Sequence, residues 1–575
     1  MKRLIAILAL TVTVLLLSAC AEGGNTRETI PANGTYAVLE IPSLAYLWDG
    51  VDQVIGELRQ QSPELAEEII AYFRDALEEL RRSTGLTPGI NSIEDIQASG
   101  IDADLPISVV LSGILDPTKA FIIPLQDPLR FPNWLEEIGA GGESEVVEEY
   151  AGVEINKGED GSYSAFEDGV LILGDRRGFI RDCIDARHGD GERFFDQEVF
   201  ALLAEKLSRH QLACYIDTPA IMRKLKPFLG LHPLGGLFGE RAGEVGPLAG
   251  GLRVSPDGIL LSGFEYTDDA DESLSEVLPI PAEALLFAEL PIPASDRQLF
   301  LKSARYYLDD LRNDPDLRGA IETIGAENLL TLLSQLGPRS FFYLLDNGEL
   351  PQLTLAIDLL DSTALREIFD STYLPLINAA LTELFNTIRL VREENGEQLS
   401  YRLQVDGMAR LNLSPAFVFT DGYLLITTST AAAEQIKQLQ QNPSGGIEEN
   451  PDYQLFRELL PDHRPSTMFS LDKMVATLSV TPGVELPVVA GIVAARYPLL
   501  GMGSGTDENL RYSSMLLASR DYHPGASLDR TEVHRGIAWW VWLYGGIGLA
   551  ALVVLFLLFL LVRHLIRQRR SVDGE

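Results

Sequence analysis

The side chains that could perform catalysis or bind a metal are scattered along this chain rather than grouped in a known pattern. The sequence holds no G-x-S-x-G, no H-E-x-x-H, no C-x-x-C and no G-x-x-x-x-G-K-[ST] motif. No two of its 7 histidines stand at the helical spacing of metal ligands. We therefore predict no catalytic residue, no metal ligand, no cofactor and no enzymatic activity. A hydrolase that uses a pair of carboxylates outside any known motif is an alternative.

One cysteine stands in a context that predicts covalent modification. A short basic segment precedes an apolar run, which ends at Leu17-Ser18-Ala19-Cys20. The run is too short to cross a bilayer comfortably, as in a signal peptide. Its end resembles a bacterial lipobox, and this resemblance implies that Cys20 is diacylated on sulfur and that residues 1–19 are removed. An ordinary signal peptide that happens to end in a cysteine is the alternative.

The last part of the sequence predicts a membrane-spanning segment. Residues 539–562 are uncharged and apolar, and the run exceeds the about 20 residues that span a bilayer. Arginines follow on one side only, at positions 563, 567, 569 and 570. The positive-inside rule then places the basic tail 563–575 in the cytoplasm. We predict a bacterial inner-membrane protein, held by a lipid anchor and a single-pass helix, whose bulk is extracytoplasmic or periplasmic.

The charge balance limits the classes of partner. The chain carries 83 acidic and 46 basic residues, for a formal net charge of −37. A field of this sign repels nucleic acid and anionic headgroups, so we predict no nucleic-acid partner. It would attract a basic envelope protein or divalent cations, or simply keep an exported protein soluble. A protein partner in the cell envelope is the prediction.

The two cysteines beyond Cys20 allow two interpretations. Cys183 and Cys214 could form a disulfide in an oxidising compartment. In an internal repeat of the sequence they align with Ile436 and Phe469, which favours apolar packing positions instead.

That repeat predicts a duplicated ectodomain. In the first copy an Asp-Gly turn precedes an apolar strand at Val170–Leu173, and in the second the strand Tyr423–Ile426 follows the same kind of turn. The pattern then continues to Asp217 and Asp472, which we interpret as helix N-caps. The predicted organisation is a signal peptide, a lipidated linker, repeat 1, repeat 2, a transmembrane helix and a cytoplasmic tail, at 1–19, 20–34, 35–275, 283–521, 539–562 and 563–575.

Alternation of strands and helices within each copy predicts the fold class. Most successive strands look antiparallel or hairpin-linked, and the longest amphipathic stretch is 51–82. We predict an α+β fold made of two tandem copies of a curved antiparallel sheet, each with helices packed against one face, plus the C-terminal transmembrane helix.

Three local patterns stand out: an early Leu-Pro, Tyr-Ala-Gly-Val-Glu-Ile at 150–155 and Asp-Gly-Val-Leu-Ile-Leu-Gly at 168–174. In these patterns the chain resembles an exported bacterial family, the domain-of-unknown-function 3352 family. The likeness would cover most of 35–520, although the second repeat lacks the Tyr-Ala-Gly-Val block. The resemblance implies a duplicated envelope domain and no catalytic residues.

Two apolar segments, one in each predicted repeat, are the candidate contact sites. Residues 227–251 and 484–500 are rich in glycine and aliphatic residues, which disfavours isolated helices. Packing of a helix in the core is the alternative. We predict a non-catalytic binding or assembly factor of the envelope; a carrier or sensor of hydrophobic ligands or lipids is the alternative. The residues predicted to contact a hydrophobic ligand or the membrane are Leu229, Leu231, Leu234, Leu237 and Phe238.

Overall fold

The computed structural model describes most of the chain between residues 26 and 519. The described residues are 26–61, 63, 67, 98–114, 117–137, 144–159, 161–229, 245–255, 258–267, 277–291, 294–313, 325–346, 352–385, 388–395, 398–405, 416–420, 422–429, 431–479, 491, 494–507 and 509–519.

The strands fall into two compact units, unit 1 within residues 1–273 and 504–537 and unit 2 within residues 274–503. The strands before residue 273 are β1 (Thr35–Ile41), β2 (Ile107–Ser112), β3 (Thr118–Pro124), β4 (Ser144–Tyr150), β5 (Val153–Gly158), β6 (Tyr163–Glu167), β7 (Val170–Gly174), β8 (Leu212–Ile216), β9 (Leu248–Ser255) and β10 (Gly258–Tyr266). The next strands are β11 (Ala284–Pro291), β12 (Arg339–Leu345), β13 (Gln352–Asp358), β14 (Ile388–Asn395), β15 (Gln398–Val405), β16 (Ala416–Phe419), β17 (Tyr423–Thr427), β18 (Arg464–Ser470) and β19 (Leu499–Asp507). The last strand, β20 (Leu510–Ala518), belongs to unit 1.

The helices are short and alternate with groups of strands. Those of unit 1 are α1 (Leu44–Gln61), α2 (Arg130–Glu137), α3 (Arg177–His188), α4 (Glu198–Leu207) and α5 (Thr218–Leu229). Those of unit 2 are α6 (Ala294–Asn313), α7 (Ala326–Ser334), α8 (Ser362–Ile368), α9 (Leu374–Phe385), α10 (Ala431–Gln441), α11 (Pro451–Leu459) and α12 (Leu471–Ser479).

The strands of the two units follow the same antiparallel order. In unit 1 the hydrogen-bonded order is β4-β5-β6-β7-β3-β2-β1-β8-β9-β10-β20. In unit 2 it is β14-β15-β16-β17-β13-β12-β11-β18. The first strand of each unit also has an irregularity at the same place, before Ala37 in β1 and before Leu286 in β11. These shared features let positions in one unit be matched to positions in the other.

The prediction of two separate tandem sheets is wrong, because all twenty described strands belong to one antiparallel sheet. β20 lies in the predicted second repeat, yet it pairs with β10 along its whole length, from Gly258 with Ala518 to Tyr266 with Leu510. An unpaired edge strand exposes a row of backbone N–H and C=O groups, and this pairing satisfies those of β10. The α+β class itself agrees with the elements observed.

The predicted transmembrane helix is not supported. Within the described part of the chain, no helix is both long and apolar enough to cross a membrane. The segment 539–562 and the tail 563–575 lie outside the described residues, and so does Cys20.

Helices pack against both faces of the sheet in unit 1, not against one as predicted. Ile122 and Ile172 point into a core formed with α3 and α4. Their neighbours Ile123 and Leu171 point into a second core formed with α1 and α2. Successive side chains of a strand face opposite sides, so these apolar pairs require cover on both faces.

Several local predictions can be checked against the described residues. Asp168 and Gly169 have φ of 44° and 77°, which confirms the predicted turn. Asp217 Oδ1 accepts a hydrogen bond from the Ala220 N–H at 2.8 Å, which confirms the N-cap of α5. Asp472 instead lies inside the first turn of α12, so its assignment as a cap is wrong.

Register explains the error at Asp472. Ile216 of β8 pairs with Ala37, and Phe469 of β18 pairs with Leu286, the equivalent residue of β11. Ile216 therefore corresponds to Phe469, which makes Ser470 the counterpart of Asp217. The sequence alignment, which matches Cys214 with Phe469, is therefore wrong by about two residues along this strand.

The two cysteines form no disulfide with each other. Cys183 lies on α3 and its side chain is fully buried in the core. Cys214 lies on β8 and is half-buried. Both are free thiols. Burial raises the pKa of the Cys214 thiol to about 11 and that of Cys183 further still. Apolar packing is the interpretation that the structure confirms for Cys183.

Candidate binding cavity in unit 2

The residues predicted to contact a hydrophobic ligand are mostly not described. Leu231, Leu234, Leu237 and Phe238 lie outside the described residues, and Leu229 is the last residue of α5. In the related segment 484–500, the described residues Ala494, Tyr497 and Leu499 are buried. Buried side chains at these positions favour core packing for that part of the segment.

A buried glutamate marks the same position in both units. Glu40 of β1 and Glu289 of β11 each stand three residues after the irregularity in the first strand. The side chain of Glu40 is fully buried and that of Glu289 is 4% exposed. A buried carboxylate is costly unless a cation and hydrogen bonds compensate it, so each unit must supply partners.

In unit 1 the partner comes from the start of the described chain. Arg27 donates from Nε to Glu40 Oε2 at 2.8 Å and also reaches Oε1. Its guanidinium lies 4.9 Å from the ring centre of Phe195, and Thr26 beside it donates to the Pro106 carbonyl at 2.8 Å. Burial opposes the charge of Arg27, yet its hydrogen bond and its attraction to Glu40 hold the pKa of Arg27 above the ordinary value.

Aromatic rings fill the space around this pair. Phe194 stacks on Phe200 with ring centres 4.0 Å apart, and Phe195 meets Tyr215 edge-on at 5.0 Å. Burial, and then the charge of Glu40, raise the pKa of Tyr215 well above its usual value. Packed aromatic rings therefore surround the charged pair of Arg27 and Glu40.

In unit 2 two arginines of the sheet compensate the glutamate. Arg464 of β18 contacts Glu289 Oε2 at 2.7 Å, and Arg339 of β12 contacts Oε1 at 3.4 Å. Isolated bridges from Pro31 to Arg193 and from Pro281 to Gly446 align the flanking segments of the two units. By that alignment Val277 stands where unit 1 has Arg27, and Glu448 stands where unit 1 has Phe195.

A cavity of about 260 Å³ lies at this place in unit 2, with Val277 and Glu448 in its lining. Its apolar wall consists of side chains from the segment before β11, from β11 itself and from the start of α11. Charged side chains stand among them. The lining residues are Val277, Leu278, Ile280, Phe287, Ile447, Glu448, Tyr453, Arg457, Pro461, Asp462, His463, Arg464 and Pro465.

The charges of the cavity have both signs. Glu448 and Arg457 stand 4.0 Å apart, with side chains 51% and 54% exposed. Tyr453 lies with its ring centre 6.1 Å from that of Phe287. Burial is the main cause of the raised pKa of Tyr453, and Glu448 and Glu289 act in the same direction against Arg457 and Arg464. The site combines apolar side chains with charged side chains of both signs, among which Glu448 and Arg457 form a half-exposed pair.

Sequence reasoning missed two equivalent histidines. His210 and His463 are 7% and 2% exposed. Each backbone N–H donates to the carbonyl at the end of the preceding helix, Leu207 for His210 and Leu460 for His463. Each histidine therefore lies three residues after its leucine partner. A correct alignment of the two repeats would have placed the two histidines at equivalent positions. Burial, and then Arg253, lower the pKa of His210 to about 4.

A serine and a lysine spaced S-x-x-K also went unremarked. Ser470 is the last residue of β18 and Lys473 lies in the first turn of α12, and serine acyl enzymes use this spacing. Both side chains donate to Oδ2 of the buried Asp452. Ser470 is fully buried, so its hydroxyl acts as a structural donor. In the part of the chain that the structure describes, no group of three or more potential ligands could hold a metal.

The chain matches no protein family and no curated protein. Among solved structures, crystal form IV of TP0453 is similar with a TM-score of 0.24 at 11% identity, over 43% of this chain and 81% of that chain. Crystal form III gives a TM-score of 0.24 at 12% identity, over 44% of this chain and 82% of that one. At such a TM-score the likeness gives no information on function. Membership of the 3352 family stays a prediction.

Proposed function

We propose that this chain is a non-catalytic binding protein of a bacterial cell envelope, lipid-anchored at Cys20. In this proposal unit 2 receives a small ligand in its cavity and unit 1 serves as the scaffold. The observation that carries the proposal is the contrast between equivalent sites. In unit 1, Arg27 contacts Glu40 and the ring of Phe195, whereas in unit 2 the two equivalent positions are Val277 and Glu448, which line a cavity.

The chemistry of the cavity supports binding rather than turnover. Ligand sites are concave and combine apolar side chains with a few oriented polar groups, and here apolar and polar side chains line the cavity in comparable measure. The buried charges nearby, Glu289 with Arg339 and Arg464, are bonded to one another. A carboxylate committed in this way is poorly placed to act as a general base.

Thermal unfolding of the full chain with a panel of small extracytoplasmic metabolites tests the proposal. A ligand that binds only the folded state raises the melting temperature. We expect at least one metabolite to do so and to be recovered chemically unchanged.

Val277 is 42% exposed at the cavity and Leu353 is 46% exposed on β13, outside the lining. Val277→Trp should abolish the shift, while Leu353→Trp should keep it. A panel that shifts nothing, or a shift that survives Val277→Trp, would overturn the proposal.

A further inference from the structure

We infer that the cavity of unit 2 binds a free amino acid with an apolar side chain. The inference rests on the proposed function and specifies the class of ligand. It combines three features of the site: an apolar interior, a pair of opposite charges at the rim, and a small volume.

The interior would hold the apolar side chain. Leu278, Ile280, Phe287 and Ile447 line the cavity and are themselves at most 6% exposed. Burial of a ligand's aliphatic or aromatic group against such a wall removes apolar surface from water, which is favourable in proportion to the area. A polar ligand without a side chain would gain nothing from this wall.

The rim would hold the two charged ends. Glu448 and Arg457 are separated by 4.0 Å and half-exposed, and an ion pair of this kind contributes little to stability. Both groups are therefore available to exchange each other for a ligand. The ammonium and carboxylate groups of an amino acid are joined through a single carbon, so one ligand can face Glu448 with its cation and Arg457 with its anion.

Charge and size argue against other ligand classes. A simple anion would meet Glu448 and Asp462, and a simple cation would meet Arg457 and Arg464. The cavity of about 260 Å³ lies below the usual range for drug-sized ligands, roughly 300–1,000 Å³. A zwitterion of amino-acid size satisfies both limits.

Calorimetric titration of the full chain with a matched series of compounds tests this inference. L-leucine and L-phenylalanine should bind. N-acetyl-L-leucine lacks the cation, L-leucinamide lacks the anion, and glycine lacks the side chain. Each should bind about tenfold more weakly or not measurably, since a charge-assisted hydrogen bond or a buried side chain accounts for about that factor.

Two charge-neutralising variants assign the ends of the ligand. Glu448→Gln should weaken L-leucine but leave its affinity for N-acetyl-L-leucine unchanged, because the acetylated compound has no ammonium group to lose. Arg457→Gln should weaken L-leucine but not L-leucinamide. Both residues are half-exposed, so both variants should fold, which the melting temperature without ligand verifies.

The outcomes separate this inference from the proposed function. If neither amino acid binds while another metabolite shifts the melting temperature in a manner abolished by Val277→Trp, the ligand class is wrong and the binding function stands. Equal affinity for L-leucine and N-acetyl-L-leucine would also overturn the inference. If nothing binds at all, both fail together.

Discussion

The two units solve one electrostatic problem in different ways. Each buries a glutamate on its first strand, but unit 1 uses a single arginine from outside the sheet and unit 2 uses two arginines from within it. The arginine of unit 1 also stacks on a ring. In unit 2 the cations come from strands, so the position equivalent to Arg27 does not have to carry a cation. That position is Val277, which lines the cavity. The comparison shows that a buried glutamate can be compensated either beside a cluster of aromatic rings or beside a cavity.

Removal of the single cation should have the largest effect. Arg27→Met leaves Glu40 buried without its partner, and loss of one member of a buried pair costs about 3–5 kcal/mol. Arg464→Met leaves Arg339 on Glu289, so we expect about 1 kcal/mol. Arg27 and Arg464 are 29% and 30% exposed, so the comparison is matched.

Denaturant unfolding of the full chain measures both changes. Arg59→Met, in an exposed pair with Glu67, is the control and should lie within about 0.5 kcal/mol of the parent. Equal losses of unfolding free energy for Arg27→Met and Arg464→Met would contradict the view that Arg339 compensates Glu289 when Arg464 is removed.

Opening the packed core of unit 1 should come next. Phe195→Ala removes a half-buried ring that contacts Arg27, Phe194 and Tyr215. We expect a loss of about 2 kcal/mol in denaturant unfolding, below the range for a fully buried phenylalanine. Glu448→Ala at the equivalent position of unit 2 should change stability by less than about 0.5 kcal/mol. A similar loss at both positions would remove the distinction between a filled and an open site.

Acid should weaken unit 1 through His210. Its pKa is about 4 in the folded chain and about 6.5 when unfolded, so the unfolded state binds the proton first as pH falls. The stability linked to His210 is complete above pH 6.5 and is lost progressively toward pH 4. Between pH 7 and 5 the loss is about 2 kcal/mol.

His210→Leu should remove that part of the pH dependence, measured by denaturant unfolding at pH 7, 6 and 5. The difference between parent and variant isolates the histidine from other titrating groups. Parallel pH profiles for the two proteins would show that His210 does not titrate on unfolding.

Filling the cavity should give the smallest effect, with the opposite sign. Glu448→Phe restores the ring that unit 1 has at Phe195 and should stabilise the chain by up to about 1 kcal/mol. Glu458→Phe, on the exposed side of α11, is the control and should give no gain. A destabilised Glu448→Phe chain would mean that the cavity does not match the space that Phe195 occupies in unit 1.

Local sequence patterns predicted turns, one helix cap and the fold class, but not the arrangement of the sheet. The Asp168-Gly169 turn, the Asp217 cap and the α+β class could be predicted because each depends on neighbouring residues. The single sheet could not, because pairing of β10 with β20 joins residues some 250 positions apart. The alternation of apolar and polar residues within a strand does not identify the strand with which it pairs.

The candidate site was hidden for a related reason. Glu40 and Glu289 look like the ends of two strands, and only the three-dimensional pairing shows that Arg27 serves one while Arg339 and Arg464 serve the other. The displaced alignment also separated His210 from His463 and paired Asp217 with Asp472 instead of Ser470. A cavity that arises from the absence of a side chain, as at Val277, leaves no motif to find.

The docking of Arg27 has a mechanical consequence. With Cys20 acylated as we propose, seven peptide units separate the acyl chains from a guanidinium held inside unit 1. A fully extended chain covers at most ~3.6 Å per residue, so the lipid-bearing cysteine would lie at most about 25 Å from the backbone of Arg27. Unit 1 would therefore lie close to the bilayer surface. A pull on the anchor would act first on the hydrogen bond from Thr26 to the Pro106 carbonyl and then on the contact between Arg27 and Glu40.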